Sequence, residues 1–263
     1  MYDLHETNVS QQQLKDIFGQ INSNGVCLIG GWAAYYLVNK NFNKRNGRNY
    51  MGSRDIDLGF FIDKRWTRAD LSKSDFAITI ETLTKMGFYS CSCFRMAKEF
   101  HWETGKPLSQ EETKKLPAYE MVQLCVDFLV DYIHPEIKSI YNFTPLDEPL
   151  LSLVYEQGLC RKEEIYDIPV LVPEPHVMLA MKLESVPKRQ RDNKRIKDIA
   201  DIFALMWYSD VELSPLLDNL SNIYSRDKAK STIAAFDNGD VAQVSTVLQL
   251  QESEIKSVFR RIQ

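Results

Sequence analysis

Residues 26–62 read VCLIGGWAAYYLVNKNFNKRNGRNYMGSRDIDLGFFI. A short apolar run, Val26 to Ile29, meets Gly30-Gly31, and a helical pattern follows to about Val38. A basic polar loop then leads to Asp55-Ile56-Asp57, which opens a second apolar run. Side chains alternate between faces along an extended strand, so Asp55 and Asp57 project from one side, with Ile56 and Leu58 on the other. Two neighbouring carboxylates repel each other, and a divalent cation relieves the repulsion. Mg²⁺ (or Mn²⁺) suits such an open pair, because it takes one or two carboxylates together with phosphate oxygens. Gly30-Gly31 supplies a complementary feature: no side chain blocks close approach, and the following helix offers its first N–H groups to an anion. The stretch from Asn39 to Arg54 carries Lys40, Lys44, Arg45, Arg48 and Arg54 and no acidic residue.

Outward from this stretch, 263 residues suffice for two modest domains. The expected boundary runs through the proline-interrupted segment after residue 145, giving an α/β domain over 1–145 and a mainly helical one over 146–263. With 32 basic and 36 acidic residues the net charge is -4, so nucleic acid is met through local basic patches or not at all. The five cysteines, Cys27, Cys91, Cys93, Cys125 and Cys160, are odd in number and lack zinc-site spacing. They read as reduced thiols of a cytoplasmic protein. No apolar run reaches membrane-span length, and the polar N-terminus is not a signal peptide, so no membrane partner is expected.

Leu14, Ile17, Phe18 and Ile21 fall at helical spacing, which predicts a helix over about 10–22 with Ser10 as its cap. Thr67 to Lys85 reads as one helix closed at Met86-Gly87. Phe88 to Phe100 reads as extended, 104–117 as an exposed loop, and Tyr119 to Ile133 as a long strand, together a hairpin. In that strand Gln123, Cys125, Asp127, Leu129 and Asp131 share a face. A mid-strand carboxylate among apolar neighbours is costly to bury alone, so Asp127 is the candidate third carboxylate, with Asp131 its rival. A charge facing water from an edge strand is the plain alternative.

The segment 144–172 is irregular, with a short helix over 150–157 and a strand over 168–172. Helices follow to the end. In the first, over 175–186, Lys182 leaves an otherwise apolar face and either snorkels to water or meets an anion. A basic run from Lys188 to Lys197 precedes a helix whose Ile196, Ile199, Ala200, Phe203 and Met206 form a stripe. Lys197, Asp198 and Asp201 lie outside it, Lys197 and Asp201 one turn apart. The amphipathic segments beyond Ser209 read as a helical packing surface, and no histidine joins a recognisable catalytic constellation.

The order strand, Gly-Gly, helix, Asp-x-Asp strand resembles the nucleotidyltransferase superfamily to which DNA polymerase beta belongs. The tokens Leu28-Ile29-Gly30-Gly31-Trp32-Ala33 and Ser53-Arg54-Asp55-Ile56-Asp57-Leu58 look most like its AbiEii-type toxin and minimal nucleotidyltransferase branch. Met181-Lys182-Leu183, followed by Lys197-Asp198-Ile199-Ala200-Asp201, is similar to that branch's second region, with a longer linker. The resemblance implies an α/β fold, a small mixed sheet flanked by helices, with an α-helical C-terminal lobe. It also implies transfer of NMP from an NTP to an acceptor hydroxyl. Asp55, Asp57 and Asp127 would hold the metal, and Gly30, Gly31, Ser53, Arg54, Lys182 and Asp198 would bind nucleotide. The implied acceptor is an RNA 3′ end such as that of tRNA, or a protein, with a cognate antitoxin as possible partner in a toxin-antitoxin or phage-defence setting. An antibiotic-modifying nucleotidyltransferase and a non-catalytic nucleotide-binding or antitoxin-like module are the alternatives. The first would need an acidic pocket for a cationic drug.

Overall fold

A computed structural model describes residues 3–190 and 193–262. The chain divides into two compact units, both discontinuous in sequence: Tyr2–Trp32 with Gly52–Val172, and Ala33–Met51 with Pro173–Gln263. Within the proline-interrupted segment the last passage between them falls at Val172–Pro173, because 144–172 still contributes strands to the sheet.

The first unit is α/β. Its eight strands are β1 (Cys27–Ile29), β2 (Ile56–Phe60), β3 (Tyr89–Ser92), β4 (Arg95–His101), β5 (Met121–Val130), β6 (Leu146–Asp147), β7 (Cys160–Ile165) and β8 (Ile168–Pro173). They form one mixed sheet in the order β3-β4-β5-β2-β1-β8-β7, with β6 paired to β5. β2 runs antiparallel to β1 and parallel to β5, and β4 is antiparallel to β5. On one face Phe60 and Phe128 stack with centroids 5.2 Å apart, and Phe76 and Phe143 close on them edge-on. This aromatic layer is the unit's core.

Helix α1 (Leu4–Phe18) starts earlier than its apolar spacing suggests. Asp3 caps it, reciprocated by Glu6, while Ser10 lies buried and accepts a 2.8 Å hydrogen bond from the Trp32 indole. Helix α2 (Gly30–Asn46) runs two turns past Val38, because Phe42 extends the buried stripe and Gly47, at φ +68°, ends it. Lys40, Lys44 and Arg45 are therefore helical and not in a loop. The single helix expected over 67–85 is two, α3 (Arg68–Leu71) and α4 (Asp75–Lys85), since Thr67 and Ser74 each cap a new start. Residues 88–100 fold back as the β3–β4 hairpin instead of one extended run. The short helices α5 (Gln110–Thr113), α6 (Pro135–Tyr141) and α7 (Leu151–Tyr155) complete the unit.

The second unit is helical: after the continuation of α2 come α8 (Pro175–Ser185), α9 (Asn193–Tyr208), α10 (Leu213–Ile223), α11 (Arg226–Ala234), α12 (Asn238–Leu248) and α13 (Glu252–Phe259). α9 is buried along nearly its whole length and packs against α8, α10, α12 and α13. No helix among the described residues is long and apolar enough to cross a membrane.

Candidate functional site

The sheet register brings the two aspartate strands together. Ile29 pairs with Asp57, Asp57 with Asp127, and Asp127 with Arg95, one row across four strands. Residues paired across neighbouring strands project to the same face, about 4.8 Å apart. Asp57, Asp127 and Arg95 therefore share a face, and Asp55, two residues before Asp57, joins them. Asp55 and Asp127 are buried while Asp57 is half-buried.

Asp57 lies directly against the β1–α2 turn. Gly30 has φ +67°, and a Cβ built there would stand 1.9 Å from the Asp57 Oδ2. Only glycine serves at this position, for its left-handed backbone and for the space that the carboxylate fills. A carboxylate beside the start of α2 is also favoured by the helix dipole. Gly31 is buried in the first turn of that helix, Trp32 after it is anchored by Ser10, and Gly52 passes so close to the Trp32 ring that a Cβ would come within 2.8 Å of it.

Cations interleave with these aspartates. Arg95 grips Asp127 through two bonds, Nε to Oδ1 at 2.5 Å and Nη2 to Oδ2 at 2.7 Å, and reaches to 3.9 Å from Asp55. The bond to Asp127 raises the guanidinium's pKa further, against the cost of its burial. Arg54 stands 3.5 Å from Asp55 and 3.9 Å from Glu6, and Ser53 before it is buried. Arg95 is a site residue that sequence reading missed; finding it required the β3–β4 turn and the β4–β5 register.

Asp131 lies elsewhere. Its Oδ1 accepts from the Ile62 amide at 2.8 Å, beyond the opposite end of β2, and burial pushes its carboxyl above the usual range. Of the two rivals, Asp127 is the one beside Asp57.

In the helical unit Lys182 and Asp198 are brought together, with each other. The Lys182 ammonium lies 2.6 Å from Asp198 and 2.8 Å from Asp201. Asp198 also accepts from Ser185 and Arg189, both at 3.1 Å, and Asp201 from Lys197 at 2.5 Å and the Tyr50 hydroxyl at 2.8 Å. Lys182, Lys197, Asp198 and Asp201 are all buried. Burial alone would lower the Lys182 pKa, but the two aspartates hold it above its ordinary value. For Lys197 burial wins and the pKa falls.

The basic stretches are largely occupied as well. Arg45 pairs with Glu254 at 3.2 Å and lies over the Trp207 ring, Arg48 donates to the Leu248 carbonyl, and Arg195 pairs with Asp240 at 2.7 Å. Within 188–197, Arg195 and Lys197 are buried and the exposed Arg189 pairs with Asp198 at 3.1 Å, contrary to a plain solvated patch; Arg191 and Asp192 lie outside the described residues. The five cysteines are all free thiols, with Cys91 and Cys93 exposed.

A divalent cation can be tested against this donor set. Asp55 and Asp57 offer hard oxygens on one face, with Asp57 against the glycine turn that opens α2, which fits Mg²⁺ taken with phosphate oxygens. They form a pair and not a cage: no group of three or more His, Cys, Asp or Glu among the described residues is gathered tightly enough to hold a metal. Asp127 joins only where Arg95 lets go of it.

No protein-family model matches the chain, and no curated protein matches it. Among solved structures it is similar to an antigenic nucleotidyltransferase-like protein from Paracoccidioides brasiliensis, at 19% identity and a TM-score of 0.39, over 88% of this chain and 92% of that one. A likeness this distant carries no functional argument.

Proposed function

We propose that this chain is a metal-dependent nucleotidyltransferase of the superfamily that its Gly-Gly and Asp-x-Asp segments resemble. One observation carries the reading: the Asp57 carboxylate rests against the Gly30 turn at the start of α2, with Asp55 and Asp127 on the same face. An ordinary sheet edge or loop has no reason to gather these parts.

In this reading an acceptor hydroxyl oxygen attacks the α-phosphorus of an NTP, the bond from that phosphorus to the β-phosphate oxygen breaks, and pyrophosphate leaves. Mg²⁺ or Mn²⁺ held by Asp55 and Asp57 would offset the phosphate charge. The N–H groups that open α2 at Gly30 and Gly31 bind the phosphates, with the buried Ser53, and Arg54 next to Asp55 in the chain, as further contacts. Release of Asp127 by Arg95 would give a third metal carboxylate or a base for the hydroxyl proton. Lys182 and Asp198 act in this account by holding α8 to α9. An RNA 3′ end such as that of tRNA, or a protein hydroxyl, as acceptor, and a cognate antitoxin as partner, extend the proposal through the AbiEii-like tokens alone.

Arg95 favours one second reading. A permanent guanidinium on Asp127 is what a module that keeps the fold without turnover would carry. Incubation with each labelled NTP, Mg²⁺ and total tRNA, for wild type and Asp57→Ala, separates the two. Transfer to RNA, protein or a small molecule that Asp57→Ala abolishes supports the enzyme; a folded wild type that transfers nothing leaves the non-catalytic module.

A further inference from the structure

At the end of β1 and β2 away from the aspartates lies a cavity of about 410 Å³. By the antiparallel register Gly25, just before β1, and Phe61, just after β2, are neighbours there, while Asp57 sits at the other end of β2. Three aromatic side chains wall it. Phe61 and Trp66 meet edge to face with centroids 5.8 Å apart, and Phe61 and Tyr155 are tilted at 5.9 Å. The Tyr155 ring is fixed in place, since its hydroxyl accepts from the Cys27 amide at 3.1 Å and donates to the Gly59 carbonyl at 2.6 Å.

The charged side chains lining this cavity are both carboxylates, Asp75 and Glu156; no lysine, arginine or histidine among the described residues lines it. Asp75 is held by Asn22, whose amide donates to its Oδ1 at 3.1 Å, and it fits because residue 25 is glycine: a Cβ there would stand 2.0 Å from the Asp75 Oδ2. The nearby Arg65 is tied to Asp63 at 2.6 Å.

We propose that this cavity binds a small organic ammonium ion, held over the faces of Phe61, Trp66 and Tyr155 and countered by Asp75 and Glu156. Aromatic faces carry negative potential and attract alkylammonium groups, most strongly where water is excluded. A metal ion would want a fuller shell of oxygens than two separated carboxylates give. An anion is repelled, and a neutral apolar ligand makes no use of the carboxylates. The cavity volume falls in the range of small-molecule sites. The site stands apart from the proposed nucleotidyl transfer and does not depend on it.

The test titrates the full-length protein with choline, with spermidine, and with 3,3-dimethyl-1-butanol, the uncharged isostere of choline, following the indole N–H resonances by NMR. The Trp66 signal is assigned by its loss in Trp66→Leu. The expected result is a saturable shift of the Trp66 signal with a cationic ligand at millimolar concentration and none with the isostere. Choline against spermidine tells a quaternary from a primary ammonium source. Trp66→Leu, followed by calorimetry, should weaken binding about five- to thirty-fold, and Glu156→Gln, followed at the Trp66 signal, about two- to five-fold. Glu156 is exposed, so its variant keeps the test open if Trp66→Leu misfolds. Equal binding of the isostere, affinity unmoved by Glu156→Gln, or no saturable shift with either cation would overturn the proposal.

Discussion

Replacing Lys182 by methionine should unfold the protein more readily, and the size of the effect follows from the ion network. Methionine keeps the length of the apolar stem, so packing on α8 is largely preserved. What is lost is the ammonium that bridges Asp198 at 2.6 Å and Asp201 at 2.8 Å, where the two carboxylates are 5% and 0% exposed. Breaking a buried ion pair by removing one partner costs about 3–5 kcal/mol. Asp198 retains Ser185 and Arg189, and Asp201 retains Lys197 and Tyr50, which places the cost near the lower end, about 3 kcal/mol. Urea unfolding should report that loss, with Tm lowered by roughly 6–12 °C. Adding Asp198→Asn should then cost less than it does in the wild type, because one stranded charge disappears with it. Unchanged stability in Lys182→Met, joined to lost nucleotide binding, would refute this reasoning and return Lys182 to the phosphate-contact role that its sequence context suggests.

Three further outcomes follow from the same geometry. Gly30→Ala and Gly47→Ala both place a side chain at positive φ, at a cost of about 1–2 kcal/mol each; only at Gly30 does the new methyl meet the Asp57 carboxylate, so Gly30→Ala should be the more damaging in chemical denaturation. Asp198 is held below its ordinary value: burial works to raise it, and Lys182 and Arg189 overcome that. Its stabilisation is therefore complete above the unfolded value of 3.8 and lost as pH falls through the lower folded one; Asp198→Asn should flatten the acid limb of a stability-against-pH curve. Arg95→Met should destabilise by about 1.5–3 kcal/mol through the lost charged hydrogen bonds. It should also tighten Mn²⁺ binding, measured by electron paramagnetic resonance, because Asp127 is released towards Asp57.

Part of this architecture is legible in local signals of the amino-acid sequence. Gly30 and the Asp55-Asp57 pair are readable because both constraints are short-range: a positive φ needs glycine, and alternation fixes which side chains share a face. The α/β class, the hairpin leading into β5 and the helices beyond Pro173 follow from periodicity. Arg95 does not, because its partner Asp127 is set by a register 32 residues away in sequence. β7 escapes because Cys160-Arg-Lys-Glu-Glu-Ile165 has a polar residue at nearly every position, and its turn uses Tyr166 and Asp167 at positive φ in place of glycine. The two-turn extension of α2 is signalled by Phe42 and Gly47 but masked by a run of asparagines and lysines. Lys182 shows the limit most clearly. A lysine on an apolar helix face looks identical whether it awaits a phosphate or two aspartates from the next helix, and only the packing of α9 on α8 distinguishes them.

Equilibrium dialysis of ATP with Mg²⁺, against wild type and an Asp55→Asn/Asp57→Asn variant shown to be folded, tests the central claim most directly. Wild type is expected to retain ATP only when Mg²⁺ is present, and the variant to retain it at least about tenfold more weakly. Equal retention by both proteins, or retention by wild type that survives EDTA, would contradict it.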